Sequence, residues 1–463
     1  MSAPILWIVL PAVLSAGLIF LQRRRIVSVV ISVLSALLLS GLAWAFRIGE
    51  VISLGPWDFV IDAQLVILGR SFIIDNGDRA KLILFFLAIA FWFFGTLAID
   101  VSGLFIPMGL GIVAILSASL AVDPFIFAPL LIMMAILLSV LVLVPWGQSV
   151  SPGVLRYLIY QTLGMIATLM AGWFLTRIVP ESGNLQGMVR AAIFLGFGFI
   201  CLLGVFPLHS WIPMLAKQTP PYVAAFVFSA LLSVGTMLGL DFLNRFVWLE
   251  ESLEALEILR FFGVVTVVAG GFWTAFQRDF GSMLGYAVVV EIGRTLMAIG
   301  LPAGQALSYT LLLPRVLSLG VWALSLTVLR PHVESFHYRA VQGMGRRFPI
   351  LGAGIVFSHF SLAGLPLLAG FPVYLTLWAQ LSAQESFSAF WAVLGSVGLM
   401  VGGLRSLAVL VMGPEEFSRS PEGQPHVFAQ VLIVLGVGML FLVGLFPQWF
   451  FPLLRSLAFD PMI

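Results

Sequence analysis

Charge is scarce in this chain: only 10% of its 463 residues are Asp, Glu, Lys or Arg, against about 25% in a soluble globular domain. A water-facing fold is excluded. Cysteine is scarcer still, and the single Cys201 permits no intramolecular disulfide and no cysteine-bound iron–sulfur cluster within the chain. A formal net charge of +2, spread over loops, gives no basic patch and argues against nucleic acid as a partner. No Gly-rich phosphate loop opens a soluble helix, and no hydrophilic stretch is long enough for a nucleotide-binding domain. Any redox or nucleotide chemistry this protein serves must sit in another chain.

What is abundant is apolar sequence: 61% hydrophobic residues and a mean hydropathy of +1.10. Runs long enough to cross a bilayer, about 20 residues each, recur end to end, and about fourteen meet that criterion. They lie near 3–21, 26–46, 82–99, 103–121, 124–145, 154–175, 190–212, 222–243, 258–276, 281–301, 303–329, 349–380, 386–412 and 427–455. A membrane barrel needs segments of about ten residues alternating apolar and polar. LILFFLAIAFWFFGTLAI (82–99) alternates nothing, so the spans are helices. The expected fold is an all-α polytopic membrane protein, a single membrane domain over 1–463.

Arg23, Arg24 and Arg25 follow the first run, which therefore reads as a retained helix rather than a cleaved signal. Short basic loops stay cytoplasmic, so the N-terminus is expected outside. The basic loop 330–348 then falls inside and the acidic stretch Glu250, Glu251, Glu254, Glu257 outside, both in agreement; the acidic loop 413–425 falls inside. The hydrophilic gap 47–81 holds DFVIDAQLVILGRSFIID, whose alternation predicts a short strand or hairpin on the outer face.

Two blocks of about five spans, 103–243 and 258–413, each contain a long run interrupted by proline or glycine, and 427–455 is the C-terminal helix. The first interruption is GVFPLHSWIP (204–213). The second has two candidates, SYTLLLPRVLSLG (308–320) and SLAGLPLLAGFP (361–372). Interior proline removes a helix hydrogen bond and costs about 3 kcal/mol or more, and paired breaks of this kind point to a transport path built from inverted repeats.

GVFPLHSWIPMLAKQTPPYVAAF (204–226) resembles the Phe-Pro-Phe-His-x-Trp-x-Pro pattern, with its following Pro-x-Pro-Val-x-Ala, of the antiporter-like membrane subunits of NADH-quinone oxidoreductase. SLAGLPLLAGFPVYL (361–375) is similar to that family's Ser-x-x-Gly-x-Pro-Pro-x-x-Gly-Phe-x-x-Lys segment, and QRDFGSMLGYAVVVEIG (277–293) to its Lys-Arg-x-x-Ala-Tyr-Ser-Ser-x-x-His-x-Gly helix. GLRSLAVLVMGPEE (403–416) resembles the family's Tyr-Leu-Arg-x-x-x-x-Met pattern and favours the N-type subunit over the M-type. The resemblance implies about fourteen helices with two inverted five-helix repeats and broken helices. It implies no cofactor in this chain, with FMN, iron–sulfur clusters and quinone in partner subunits.

In that family a central row of lysine, histidine and glutamate passes protons. A buried lysine can do so because burial and a nearby carboxylate tune its proton affinity. Here the family glutamate falls near Leu131 to Met133, the broken-helix lysine at Leu202, the next lysine at about Leu231 and the distal lysine at Tyr374. His209 matches the family histidine, as a hydrogen-bonding frame or a proton carrier. Glu291 falls where another histidine is expected, with Arg294 three residues on along the same face, as a functional pair or an ion pair locking two helices. Arg315 follows Pro314 in an apolar run; always protonated, it can hold a carboxylate, with Glu291 the natural partner, or an anionic lipid. His359 reads as interfacial, Asp241, Asn244 and Arg245 as snorkelling at a span end, and Lys217 as solvated. Glu291 and Arg315 are the only strong charges expected deep in the bundle.

These residues predict a membrane-arm subunit of a proton-translocating NADH:quinone oxidoreductase-like respiratory complex in the cell inner membrane, largely structural because its channel lysines are replaced, with other membrane-arm subunits and lipids as partners. Two alternatives stay open. One is an active proton channel through His209, Glu291 and Tyr374. The other is a subunit of a multisubunit cation/proton antiporter or of a membrane-bound hydrogenase.

Overall fold

The computed structural model describes residues 2–54, 57–67, 69–144, 147–176, 185–245, 253–302, 304–413 and 425–459. The acidic residues at 250–251 and the loop residues 414–424 lie outside them. Eleven helices are long and apolar enough to cross a membrane, and three shorter apolar helices, Ile5–Phe20, Phe105–Ala121 and Pro349–Ala363, bring the described apolar helices into register with the fourteen expected runs.

In chain order, α1 (Leu10–Phe20), continuing a π-helical turn Ile5–Val9, and α2 (Arg25–Ala45) lead into strands β1 (Val51–Leu54), β2 (Trp57–Val60), β3 (Gln64–Ile67) and β4 (Arg70–Ile73). There follow α3 (Arg79–Gly95), α4 (Phe105–Ala121), β5 (Val122–Asp123), α5 (Ala128–Leu143), α6 (Pro152–Thr176), α7 (Leu185–Leu203), α8 (Trp211–Gln218) and α9 (Pro221–Arg245). The second half holds α10 (Leu253–Phe276), α11 (Phe280–Ile299), α12 (Gly304–Leu329), α13 (Pro349–Ala363), α14 (Gly370–Gln384), α15 (Ser386–Val411), α16 (Val427–Leu445) and α17 (Pro447–Phe459). The gap after α2 forms two antiparallel hairpins rather than one, β1–β2 and β3–β4, the second extended by β5 on β4. The C-terminal run 427–455 is likewise two helices, parting at Phe446 before Pro447, whose missing N–H suits a first helical position.

The centre of the bundle is α9, α11 and α12. The apolar window of α11 is 94% buried and that of α16 only 22%, so α11 sits inside the protein while α16 offers most of its surface to lipid. Small residues let neighbours approach this closely. On α10 and α15, a Cβ on Gly271 would collide with the Gly395 carbonyl, and a Cβ on Gly395 would lie 2.6 Å from the Val267 carbonyl. This small-residue seam replaces the hydrophobic driving force that lipid cannot supply.

Two runs are broken, and by the same device. After α7, Gly204 takes φ +75° and the N–H groups of Gly204 and Val205 both donate to the Ile200 carbonyl, at 3.1 and 3.0 Å. After α13, Gly364 takes φ +84° and the Leu365 N–H donates to the Phe360 carbonyl at 2.9 Å. A left-handed glycine with a bond reaching back five residues is the helix stop that only glycine adopts without strain. The other candidate break, at 308–320, does not occur. Helix α12 runs unbroken through Pro314, held on all sides by buried neighbours that can re-satisfy what proline removes.

Candidate functional site

Helix α11 begins at Asp279, whose carboxylate accepts from the Ser282 N–H at 2.9 Å; such a cap satisfies one of the four orphan donors of the first turn. Three turns on, Glu291, Arg294 and Thr295 share one face, and α11 presents that face to α12 and α14. Arg294 Nη1 donates to Glu291 Oε1 at 2.5 Å. Arg315 of α12 donates from Nε to Glu291 Oε2 at 3.2 Å and from Nη2 to Thr295 Oγ1 at 2.5 Å. Tyr374 of α14 donates its hydroxyl to Glu291 Oε1 at 2.9 Å, and its ring lies under the Arg294 guanidinium, 3.7 Å from centroid to Cζ, a cation–π contact.

All four side chains are fully buried. One carboxylate against two guanidiniums leaves a net charge of +1. Two nitrogens, Arg294 Nε and Arg315 Nη1, have no hydrogen-bond partner among the described residues. Arginine does not release its proton in proteins, so neither guanidinium can relay one. The cluster's remaining contacts are structural: Arg294 also donates to the Leu362 carbonyl at 2.6 Å and to Ser396 Oγ at 2.9 Å. The Leu362 carbonyl lies two residues before Gly364, where the α13 helix stops and its last carbonyls lose their helical partners. Arg294 thereby pins the second break.

The first break is treated alike but without charge. Gln161 of α6 donates to the Leu202 carbonyl at 3.0 Å, again two residues before the glycine, and Thr266 of α10 accepts from the Phe206 N–H at 3.2 Å. Around it the expected charge positions come together. Ile132, Leu202 and Leu231 line one cavity of about 20 Å³ with Leu116, Phe199 and Leu203, and Gln161 is its polar member. A volume of that order admits one water at most. Where a glutamate and two lysines are expected, there is a small apolar hole.

His209 stands in the turn Leu208–Ser210 between the half-helices. It is buried, stacked on Phe206 with ring centroids 5.5 Å apart and tilted against Tyr286 at 6.1 Å. Its Nδ1 has no hydrogen-bond partner among the described residues. It does not join the Glu291 cluster; Tyr286, five residues before Glu291 on α11 and so about 7.5 Å along the axis, stands between them in sequence.

Three expectations need correction. His359 is not interfacial: it is fully buried, stacked on Trp322 at 4.5 Å, because α13 is a half-helix enclosed by α12 and α15. Arg245 does reach the edge, pairing with Asp123 at 2.8 Å, but Asp241 turns inward to Lys81 Nζ at 2.5 Å. Nor are Glu291 and Arg315 alone in depth, since Arg294, Arg79, Lys81 and Asp241 are buried or nearly so. Lys81 escaped notice because it stands one residue before an apolar run. Its signal was the Asp78-x-x-Lys81 spacing, which closes at 2.8 Å. Lys217, the chain's other lysine, is exposed as expected. Among the described residues no three His, Cys, Asp or Glu side chains gather closely enough to hold a metal.

A family described as "NADH:quinone oxidoreductase/Mrp antiporter, TM" matches residues 157–401, just over half of the chain. NADH-quinone oxidoreductase subunit N 1 of Herpetosiphon aurantiacus is 26% identical over 306 residues, 64% of this chain and 60% of that protein. The chain spans 55–60% of the length of three curated relatives that it matches. Two solved structures share the fold at low identity. One, titled as the membrane-bound sulfane sulfur reductase, an archaeal respiratory membrane complex, superposes with a TM-score of 0.78 at 14% identity, covering 100% of this chain and 98% of that one. The other, respiratory complex I from Thermus thermophilus with bound NADH, gives 0.76 at 20% identity over 98% and 99%.

Proposed function

This chain belongs to the NADH:quinone oxidoreductase/Mrp antiporter transmembrane family, and from that premise we propose that it is an N-type membrane-arm subunit of a proton-translocating NADH:quinone oxidoreductase-like complex, holding the arm together with little or no proton translocation of its own. It sits in the cell inner membrane with its N-terminus outside, among other membrane-arm subunits and lipids. Its two repeats, 103–243 and 258–413, carry the two breaks. FMN, iron–sulfur clusters and quinone belong to partners.

The observation that carries this reading is the apolar cavity of Ile132, Leu202 and Leu231. A proton path needs groups that titrate or a file of water, and neither fits there. The second half agrees: its deepest charges are a glutamate held by two arginines, and an arginine cannot release a proton. The matching contacts at the two breaks, Gln161 to the Leu202 carbonyl and Arg294 to the Leu362 carbonyl, support a repeat whose architecture is kept while its charges are changed.

Cys201 is the only native thiol, so a Cys201→Ala background makes a clean access test. Cysteine at position 202 or 231, probed with a small charged thiol reagent in membranes, is expected to stay unlabelled; labelling from either side means a water path and overturns the reading. Purification from native membranes is expected to bring quinone-reducing and iron–sulfur chains along. Their absence contradicts the respiratory assignment and favours a cation/proton antiporter assembly, whereas iron–sulfur chains without a quinone-reducing one favour a hydrogenase assembly. The tilted contact of His209 with Tyr286, on the helix that carries Glu291, favours a second reading, a vestigial path from His209 to Glu291 and Tyr374.

A further inference from the structure

The loop 330–348 carries four arginines, Arg330, Arg339, Arg346 and Arg347, and two histidines against one carboxylate, Glu334. Among the described residues none of these arginines pairs with a carboxylate, and Glu334 pairs with no cation. Aromatic rings hold part of the group instead. The Arg330 guanidinium lies 5.2 Å from the Phe336 centroid and that of Arg347 5.2 Å from the Phe348 centroid, while His332 packs on the same Phe348 at 4.6 Å. Arg330 and His332 belong to one short turn, so the three side chains gather in one place. Both rings are buried, and the Phe336 carbonyl accepts from the Phe280 N–H at 3.1 Å, which ties this platform to the start of α11. A ring face holds a guanidinium without using its N–H donors. The forks of Arg330 and Arg347 therefore stay open to oxygen.

Short basic loops stay cytoplasmic by charge alone, and that rule gathers nothing over a ring. The surroundings say what the group faces. The loop joins α12 to α13, the two helices on which α16 packs: a Cβ on Gly436 would lie 2.5 Å from Val321, and one on Gly354 2.7 Å from Ile433. Counted from those contacts at about 1.5 Å per residue, the end of α12 and the beginnings of α13 and α16 reach the same level. From that level the outer face of α16 runs on as an exposed apolar stripe of Val427, Phe428, Val431, Val434, Leu435 and Met439, at the spacing of one helix face. Open cations at the head of an apolar stripe match a phosphodiester carried on acyl chains. Guanidinium forks take phosphate oxygens in pairs, and basic clusters just outside a span hold anionic headgroups. A free anion or an acidic protein surface would use the cations and leave the stripe idle. We propose that Arg330 and Arg347, with His332 sharing the Phe348 ring, bind the headgroup of an anionic phospholipid whose acyl chains lie along α16. The site rests on the chain's place in a membrane and not on whether it conducts protons.

The test uses the full chain in a nonionic detergent at constant ionic strength, titrated with phosphatidylglycerol or phosphatidylcholine, and counts retained lipid by native mass spectrometry. Phosphatidylglycerol is expected to bind with saturation where phosphatidylcholine does not. Arg330→Gln and Arg347→Gln are each expected to weaken that binding about fivefold in a chain that still unfolds cooperatively. Arg23→Gln combined with Arg24→Gln, which removes charge from another basic loop expected on the same side, is expected to change nothing. Equal losses in the two loops mean general surface charge and overturn the proposal. So does displacement of the lipid by millimolar inorganic phosphate, which means a site for a free anion, or by a polyglutamate peptide, which means an acidic protein surface. Binding that appears only after Glu415, Glu416 and Glu422 are replaced by Gln overturns it too, because the chain's own acidic loop then fills the site.

Discussion

Removing the carboxylate from the buried cluster should cost far more than removing one of its two arginines. Glu291 accepts three side-chain hydrogen bonds, from Arg294, Arg315 and Tyr374, and it is the only anion there. Glu291→Gln takes the cluster from +1 to +2 with no change in volume. Stranding buried charges in this way costs about 3–5 kcal/mol. Arg315→Met takes the cluster from +1 to 0 and leaves Glu291 paired with Arg294. Thr295, which loses its donor, still gives its own proton to the Glu291 carbonyl at 2.9 Å. The substitution removes three hydrogen bonds, to Glu291 Oε2, the Glu291 carbonyl and Thr295 Oγ1, but it also removes the excess buried cation, so the two effects largely offset and the net loss is ~1 kcal/mol. Thermal unfolding in detergent micelles, followed by fluorescence of the 13 tryptophans, should place Glu291→Gln clearly below Arg315→Met and Arg315→Met close to the parent. If Arg315→Met is as damaging as Glu291→Gln, the charge count that underlies the reasoning is wrong.

Tyr374→Phe deletes one hydrogen bond to a charged acceptor but keeps the ring under Arg294, so a loss of about 1.5–3 kcal/mol is expected, intermediate between the two variants above in the same assay. Gly271→Leu forces α10 and α15 apart at Gly395 and is expected to lower folded yield sharply. Gly438→Ala, where a Cβ meets nothing within 4 Å, is expected to be neutral or to stabilise by up to about 1 kcal/mol; equal losses in both would remove the close-packing account of that seam.

The spans were legible because length and hydropathy decide membrane helices almost alone. The GVFP and SLAG breaks were legible because proline and glycine punctuate the chain there. Proline misled at 308–320, where the neighbours of α12 absorb the defect; no local pattern records what surrounds a helix. The pairing of Glu291 with Arg294 followed from their spacing on one face, and the reach of Arg315 from the expense of an unpaired charge at depth. That Ile132, Leu202 and Leu231 share one cavity required three helices to be assembled. Lys81 and Asp241 were hidden for another reason: each sits at the end of an apolar run, where snorkelling explains any charge, and 160 positions separate the two. Only the fold brings them within bonding distance.

The claim that this chain supports the membrane arm without carrying protons is tested most directly by the proton-to-electron ratio of the purified complex in proteoliposomes, compared between the parent and complexes carrying Glu291→Gln or His209→Ala. Electron transfer is measured in the same vesicles, so a loss of assembly registers as a loss of turnover. The expected result is an unchanged ratio in both variants, whatever their turnover. A ratio lowered in either variant while turnover is retained contradicts the account, and returns Glu291, His209 and Tyr374 to a working proton path.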